Sequence, residues 1–323
     1  MVKAILGIDG GGTKTHAVLV DLDGNILGTA ANGGANWEPI GIDAVGESLE
    51  ELISRALSIA KIGREDIVAS TLALAGIDWP EDEILFAPTL LSLGLTNRCT
   101  LVNDSVAALF AGIPDGVGCV SIAGTGGKTA GSDGRITLQT MGMELGEGGG
   151  AGQLVGLALD SIARAHHGAS EKTQMYTAIP KAAGFDNPTS FFTAIARGRV
   201  HLDETLAPLI FDLAKNADSA ALEVVTQVAK QHALDTKAIA SQLDFHSKPI
   251  VLIRAGGLHT AGCESFDTAF EEEVIRLLGP VDMRVLEIPP VFGAVILSAH
   301  QYFEKMPAEF LRNLLANAGK VEL

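Results

Sequence analysis

The chain holds 323 residues, 47% of them apolar and 19% charged, and its 23 Lys and Arg stand against 39 Asp and Glu for a net charge of −16. That is enough apolar material for two packed cores and too little charge for a disordered chain. So acidic a surface, with no basic run to offset it, excludes nucleic acid as a partner. No stretch reaches the ~20 apolar residues that span a bilayer, so no membrane is expected. Asp9 interrupts the short N-terminal apolar run, which therefore does not read as a signal peptide. Cys99, Cys119 and Cys263 lie far apart and fit buried thiols in a reducing compartment, so a cytoplasmic protein is expected.

In chain order, Lys3–Asp9, His16–Asp21 and Ile26–Ala31 read as three strands, the last two joined by the hairpin turn Asp23-Gly24-Asn25. Leu49, Leu52, Ile53, Ala56 and Leu57 recur at helical spacing within Val45–Ala60, with Asp43 as the expected cap. Ile67–Ala75 is a continuous apolar run ending at Gly76, the pattern of a strand buried on both faces. A helix near Glu81–Leu93, a strand at Cys99–Asn103 and a helix over Ser105–Ala111 follow, and Gly112–Gly116 forms a natural boundary.

Beyond it the pattern restarts with a strand at Val117–Ala123, a Gly124–Gly127 turn, a strand at Lys128–Gly131 and an Asp133-Gly134 turn. Ile8-Asp-Gly-Gly-Gly-Thr-Lys-Thr15 and Ile122-Ala-Gly-Thr-Gly-Gly-Lys-Thr129 agree at five of eight positions. Because the strand context repeats with the motif, a duplicated domain is expected. The stretch from Gly150 to about Leu243 reads as mostly helical, with long amphipathic segments at Gln153–His166 and Ser219–Leu243. Ile250–Ala255 is a buried strand opening onto Gly256-Gly257; a helix at Glu264–Leu278, a strand at Met283–Ile288 and a helix from Val291 complete the chain. The expected domains are 1–114 and 115–323, the second with a helical insertion and a last helix packing back on the first.

Gly10-Gly11-Gly12-Thr13 joins two strands, whereas a dinucleotide fingerprint or a P-loop needs a helix after its glycines. What remains is a hairpin without side-chain bulk, where backbone amides and the Thr13 hydroxyl can approach an oxyanion. Asp9, at the strand tip, is placed to hold Mg²⁺ directly or through water. One such turn is as readily a plain hairpin; two in a duplicated chain favour a phosphate site.

These residues resemble the superfamily of actin, sugar kinases and heat-shock chaperones. Asp9–Thr15 is similar to its first phosphate motif, Ala123-Gly-Thr-Gly126 to its second, and Ala255-Gly-Gly257 to its adenosine motif. Asn103–Ala108 and Phe292–Leu297 resemble its two connecting helices. Order and spacing agree over essentially the whole chain, and the branch it most resembles is the N-acetylglucosamine kinase-like BadF/BadG/BcrA/BcrD one.

The resemblance implies an α/β fold of two duplicated ribonuclease H-like domains with a central cleft, using ATP and Mg²⁺. It assigns Gly11, Gly12, Thr13, Lys14, Thr15, Thr125, Gly126, Gly256 and Gly257 to the nucleotide and Asp9 to the metal. Asp104 is either a helix N-cap or the base that deprotonates the substrate hydroxyl, two roles that are compatible. Asn36, in Gly33-Gly34-Ala35-Asn36-Trp37, is a turn residue or a sugar contact. Met141–Gly150 departs from the branch's Gly-Trp-Gly and Gly-Asp-Glu-Gly-Ser loop: Glu147 stands for the Asp, which the resemblance turns toward the substrate, Gly148 for the Glu, so that the second carboxylate is lost, and Gly150 for the Ser.

The expected activity is ATP-dependent phosphorylation of a sugar hydroxyl, the 6-OH of N-acetylglucosamine, glucosamine or a related hexose, by a homodimer. The alternatives are an activator ATPase for a CoA-linked reductase or dehydratase, and a non-catalytic nucleotide- or sugar-binding regulator. Arg254 either lines the adenine pocket or closes a salt bridge.

Overall fold

The computed structural model describes residues 2–95, 98–246 and 248–319. Residue 1 and residues 320–323, the outer ends of the two expected domains, lie outside the described residues. The first part of the chain runs β1 Ala4–Gly10, β2 Lys14–Asp21, β3 Ile26–Gly33, α1 Trp37–Ile40, α2 Ile42–Ala60, β4 Ile67–Leu74, α3 Pro80–Ser92, β5 Cys99–Val102 and α4 Asp104–Gly112. The sequence then restarts with β6 Gly118–Ala123, β7 Gly127–Ser132 and β8 Thr137–Gln139. A helical stretch follows: α5 Ala151–His166, α6 Met175–Ala182, α7 Pro188–Ala196, α8 Ala207–Lys215 and α9 Ser219–Ala240. The chain closes with β9 Val251–Ala255, α10 Gly257–Thr260, α11 Glu264–Leu278, β10 Asp282–Val285, α12 Pro290–Tyr302 and α13 Ala308–Ala318.

The two sheets have the orders β3-β2-β1-β4-β5 and β10-β9-β6-β7-β8. Read from its other edge the second becomes β8-β7-β6-β9-β10, so β6 to β10 repeat β1 to β5 one for one. In the first sheet β1 pairs antiparallel with β2 and parallel with β4, and β4 pairs parallel with β5. The same relations recur where β7 pairs antiparallel with β8 and β9 parallel with β10. The repetition extends to the turns. Glycine hairpins follow the first strand of each copy, and a left-handed glycine follows the fourth, Gly76 at φ +81° and Gly256 at φ +90°. The duplication expected from five matches in eight positions is thus a duplication of topology.

By contact density the chain falls into two compact units, Met1–Val120 with Ala130–Gln139 and Leu286–Leu323, and Ser121–Thr129 with Thr140–Val285. In the first, β1 is buried on both faces. One face carries Leu6, Ile8, Ala17 and Leu19 against Val45, Leu49, Leu52 and Ile53 of α2. Those helix positions form the apolar stripe visible in the sequence. The other face places Ile5, Val18 and Val20 against Val291, Phe292, Val295 and Ile296 of α12 and Phe310 and Leu314 of α13.

Helix α12 is buried nearly all round and crosses α4 closely: a Cβ on Gly293 would lie 1.8 Å from the Ala107 carbonyl oxygen. In the second unit, α9 buries Val224, Val225, Val228 and Ile239, and α11 buries Phe266, Phe270 and Val274. Among the described residues no helix is long and apolar enough to cross a membrane.

Two expected caps are corrected. Helix α2 starts at Ile42 behind Gly41, so Asp43 lies in its first turn and does not cap it. Helix α4 is capped by Asn103, whose Oδ1 accepts from the Ser105 amide at 2.9 Å, and Asp104 is its first helical residue.

Candidate active site

In the first unit the phosphate turn and the loop after β3 are built as one piece. The Gly11 amide donates to the Lys14 carbonyl at 2.9 Å, closing the hairpin, and the Ala35 amide donates to the Gly11 carbonyl at 3.0 Å. Buried Thr15 donates its hydroxyl to the Gly33 carbonyl at 2.7 Å. Gly34 lies so close that a Cβ there would sit 2.1 Å from the Gly12 carbonyl oxygen, so only glycine fits that contact. Gly12, Thr13 and Lys14 are exposed at the tip, while Thr15 braces it from beneath. The five residues of this turn expected to meet nucleotide therefore divide into three at the surface, half-buried Gly11, and Thr15 as a support.

Asn36 caps α1, its Oδ1 accepting from the Glu38 amide at 3.1 Å. Trp37 is the loop's anchor: its indole N–H donates to the Gly76 carbonyl at 2.6 Å, and its ring meets Phe86 edge-on at 6.0 Å.

Asp104 stands beside the same turn, its Oδ2 4.0 Å from where a Cβ on Gly11 would lie. Burial pushes the Asp9 carboxyl well above the usual carboxylate range, and the negative charge of Asp104 pushes it further. A carboxyl so desolvated, with a second negative charge acting on it, is costly to ionise unless a cation joins it. Among the described residues no group of three or more His, Cys, Asp or Glu forms a metal cage. Asp9 instead suits Mg²⁺, which takes one or two carboxylates and completes its shell with water and phosphate oxygens.

In the second unit the Gly124–Gly127 hairpin lies on the loop that departs from the family pattern. A Cβ on Gly127 would meet the Gly148 carbonyl oxygen at 2.1 Å, and one on Gly150 the Thr125 carbonyl oxygen at 2.3 Å. On Gly148 a Cβ would press into the His232 ring at 2.9 Å. Larger residues at 148 and 150 therefore have no room in this backbone, and the loop's carboxylates come from elsewhere. Asp235 of α9 accepts from the Gly148 amide at 2.5 Å, and Glu144 from the Gly150 amide at 3.1 Å. Glu147 is buried and turned onto its own loop, its Oε1 accepting from the amides of Met143 at 2.5 Å and Glu144 at 3.0 Å.

Thr125 and Gly126 are exposed, and Gly124 and Thr125 line a cavity of about 470 Å³ with Ala151, Phe211, Gly257 and Leu258. A largely apolar lining that includes Asp212 and Lys215 suits a flat heteroaromatic base and its attached sugar. The sequence carries no local sign of Phe211, Asp212 or Lys215 here, because α8 reaches the cavity only through the packing of the helical stretch. Arg254 takes the second of its two expected roles, its Nη1 lying 2.7 Å from Glu271 and 3.4 Å from Asp267.

His232 beneath this loop is fully buried, and burial pushes its imidazole down to about 4 from 6.5. Between these values the unfolded chain holds a proton that the folded chain does not. Stability is therefore expected to fall as pH drops through that window, by about 3 kcal/mol in all. His259, lowered by its own burial, adds in the same direction. Urea unfolding at about pH 7.5 and about pH 4.5 measures the loss, and His232→Gln should flatten the profile.

Two topologically matched sheets, each with a glycine hairpin after its first strand, define an actin-like ATPase fold of two ribonuclease H-like domains. The chain belongs to the BadF/BadG/BcrA/BcrD ATPase family, which it matches over residues 6–298. It is 27% identical over 306 residues to an N-acetylmuramic acid/N-acetylglucosamine kinase of Clostridium acetobutylicum, covering 92% of this chain and 98% of that one. A candidate N-acetylglucosamine kinase of Chromobacterium violaceum shares the fold at a TM-score of 0.68 and 20% identity, over 92% of this chain and 99% of its own. A ROK hexokinase of Thermus thermophilus does so at 0.58 and 18%, over 93% of this chain and 99% of its own.

Proposed function

We propose that this chain, an ATP-dependent sugar kinase, transfers the γ-phosphoryl group of ATP to the 6-hydroxyl of N-acetylglucosamine, glucosamine or a related hexose. The observation that carries the reading is the placement of Asp104 against the Gly11–Thr13 turn, which sets a carboxylate beside amides suited to phosphate. The kinase name of the Clostridium relative, similar along nearly its full length, supports the same chemistry and an amino sugar as acceptor.

In this reading Asp104 accepts the proton of the attacking hydroxyl as the new O–P bond forms. The Gly12 amide and the Thr13 hydroxyl hold phosphate oxygens, Gly11 closes the turn beneath them, and Lys14 adds positive charge at the tip. Thr125 and Gly126 serve the same purpose in the second unit, where Gly256 and Gly257 border the base and ribose. Asn36 orients sugar hydroxyls, and Glu147 shapes the loop that backs the second turn. Bound Mg²⁺, held by Asp9 directly or through water, would neutralise charge on the transferring group. The duplication boundary is proposed near Pro114, and a homodimer is proposed on the general frequency of such assemblies.

The test is ATP consumption measured over hexoses, hexosamines, N-acetylhexosamines and N-acetylmuramic acid. Stimulation by an amino sugar, with product phosphorylated at O6 by NMR, is the expected outcome. If no sugar stimulates turnover, the kinase reading fails. A brown, iron-containing preparation would favour a reductase or dehydratase activator.

A further inference from the structure

The second unit contains a buried polar chain outside the residues assigned above. Ser121 lies near the end of β6, three positions before Gly124; His259 lies in α10, two positions after Gly257; His232 lies in the middle of α9. All three are buried, with exposures of 0%, 3% and 0%. Ser121 Oγ is 3.1 Å from His259 Nε2 and 3.4 Å from His232 Nδ1, and His232 Nε2 is 2.9 Å from the Gly149 carbonyl oxygen.

The direction of every bond in this chain follows from its one invariant acceptor. A carbonyl oxygen can only accept, so His232 carries its proton on Nε2. The buried ring is neutral, which leaves Nδ1 bare, and Ser121 donates its single hydroxyl proton there. Ser121 then has only lone pairs for His259, whose Nε2 must donate. The remaining nitrogen, His259 Nδ1, is a bare acceptor, and it is buried without a hydrogen-bond partner. The ring itself is wedged edge-on against Phe266 at 5.3 Å and Phe270 at 4.8 Å.

An unpaired buried acceptor is destabilising, and apolar groups of the same shape would remove that penalty. Stability alone therefore does not account for the arrangement. What it does physically is join the two glycine turns of this unit. Its upper end is set by α10, directly after Gly256-Gly257. Its lower end fixes the Gly149 carbonyl between Gly148, which lies under Gly127, and Gly150, which lies under Thr125.

We propose that His232, acting through Ser121 and His259, is a positioning residue. It holds the Gly124–Gly127 turn in register with the Gly256–Gly257 turn, so that the phosphates and the nucleoside of one ATP are met together. This rests on reading those two turns as the nucleotide site.

The experiment measures binding of a fluorescent ADP analogue, without any sugar, to wild type, Ser121→Ala, His232→Met and His232→Gln. Thermal melts accompany each titration. Met fills the volume with no donor, whereas the Gln amide places an N–H where Nε2 stood. His232→Met is expected to weaken binding ~10-fold and Ser121→Ala by less, while His232→Gln stays within ~3-fold of wild type. Nitrogen-15 spectra of labelled histidine should show two rings locked as Nε2–H tautomers, one of them lost in His232→Met.

Equal affinity in His232→Met and wild type overturns the proposal. So does a loss that tracks the melting temperature alone and is not rescued by Gln. A wild-type chain that binds no nucleotide overturns it together with the reading of the site. If the binding order holds and no sugar is phosphorylated, only the kinase assignment fails.

Discussion

Asp104→Asn is expected to lower kcat for sugar phosphorylation by ~10²–10⁴-fold, the usual contribution of a positioned general base. Asn preserves shape and can keep hydrogen-bonding to the hydroxyl, but it cannot take the proton. The KM values for sugar and ATP should therefore change far less than kcat. The helix should persist, because its cap is Asn103, whose Oδ1 receives both the Ser105 amide at 2.9 Å and the Ser105 hydroxyl at 2.6 Å. Removing the charge also relieves Asp9, whose carboxyl Asp104 pushes up, so the variant should be no less stable than wild type. Steady-state kinetics with a coupled ADP assay, beside a melting curve, separates these effects. Full activity in the variant would remove Asp104 from the mechanism.

Gly256→Ala is expected to reduce kcat/KM for ATP by ~100-fold while far-ultraviolet circular dichroism stays that of wild type. The glycine sits at φ +90°, where a side chain is strained, and a Cβ would lie 2.5 Å from the Ala123 carbonyl. To regain an ordinary contact the turn must retreat by about an ångström, a displacement that typically costs a site ~10²-fold. Because Ala123 opens the Gly124–Gly127 hairpin, the retreat disturbs both turns together. Nucleotide titration reads the loss directly. Unchanged ATP kinetics would mean that this turn does not hold nucleotide.

Both variants rest on features of different legibility. The glycine turns were readable because a hairpin that carries phosphate is local: its residues are consecutive and its spacing is set by the strands on either side. The duplicated order of strands was readable for the same reason, since alternation and buried runs record the sheet residue by residue. Helix caps were less so. Asp43 and Asp104 each fell one or two positions from the true start, because several small polar residues can cap and only the backbone angle selects one.

The altered loop at Gly146–Gly150 was visible as a departure from its relatives, but its meaning was not. Seen in isolation, the missing carboxylate is a loss. In the folded chain Asp235 supplies a carboxylate to Gly148 across 87 residues of sequence, and Glu144 supplies another to Gly150 from six residues away. Glu147, read as a residue turned toward substrate, is spent on the amides of its own loop.

The sequence by itself determined the ATPase fold and the two glycine turns, because each is written in consecutive residues or in the order of strands. Tertiary structure alone decided which side chains stand behind those turns. His232, Asp235 and Phe211 come from helices whose amphipathic pattern says only that one face is buried. Which turn that face meets depends on how the helical stretch packs, and no local pattern of apolar residues encodes it.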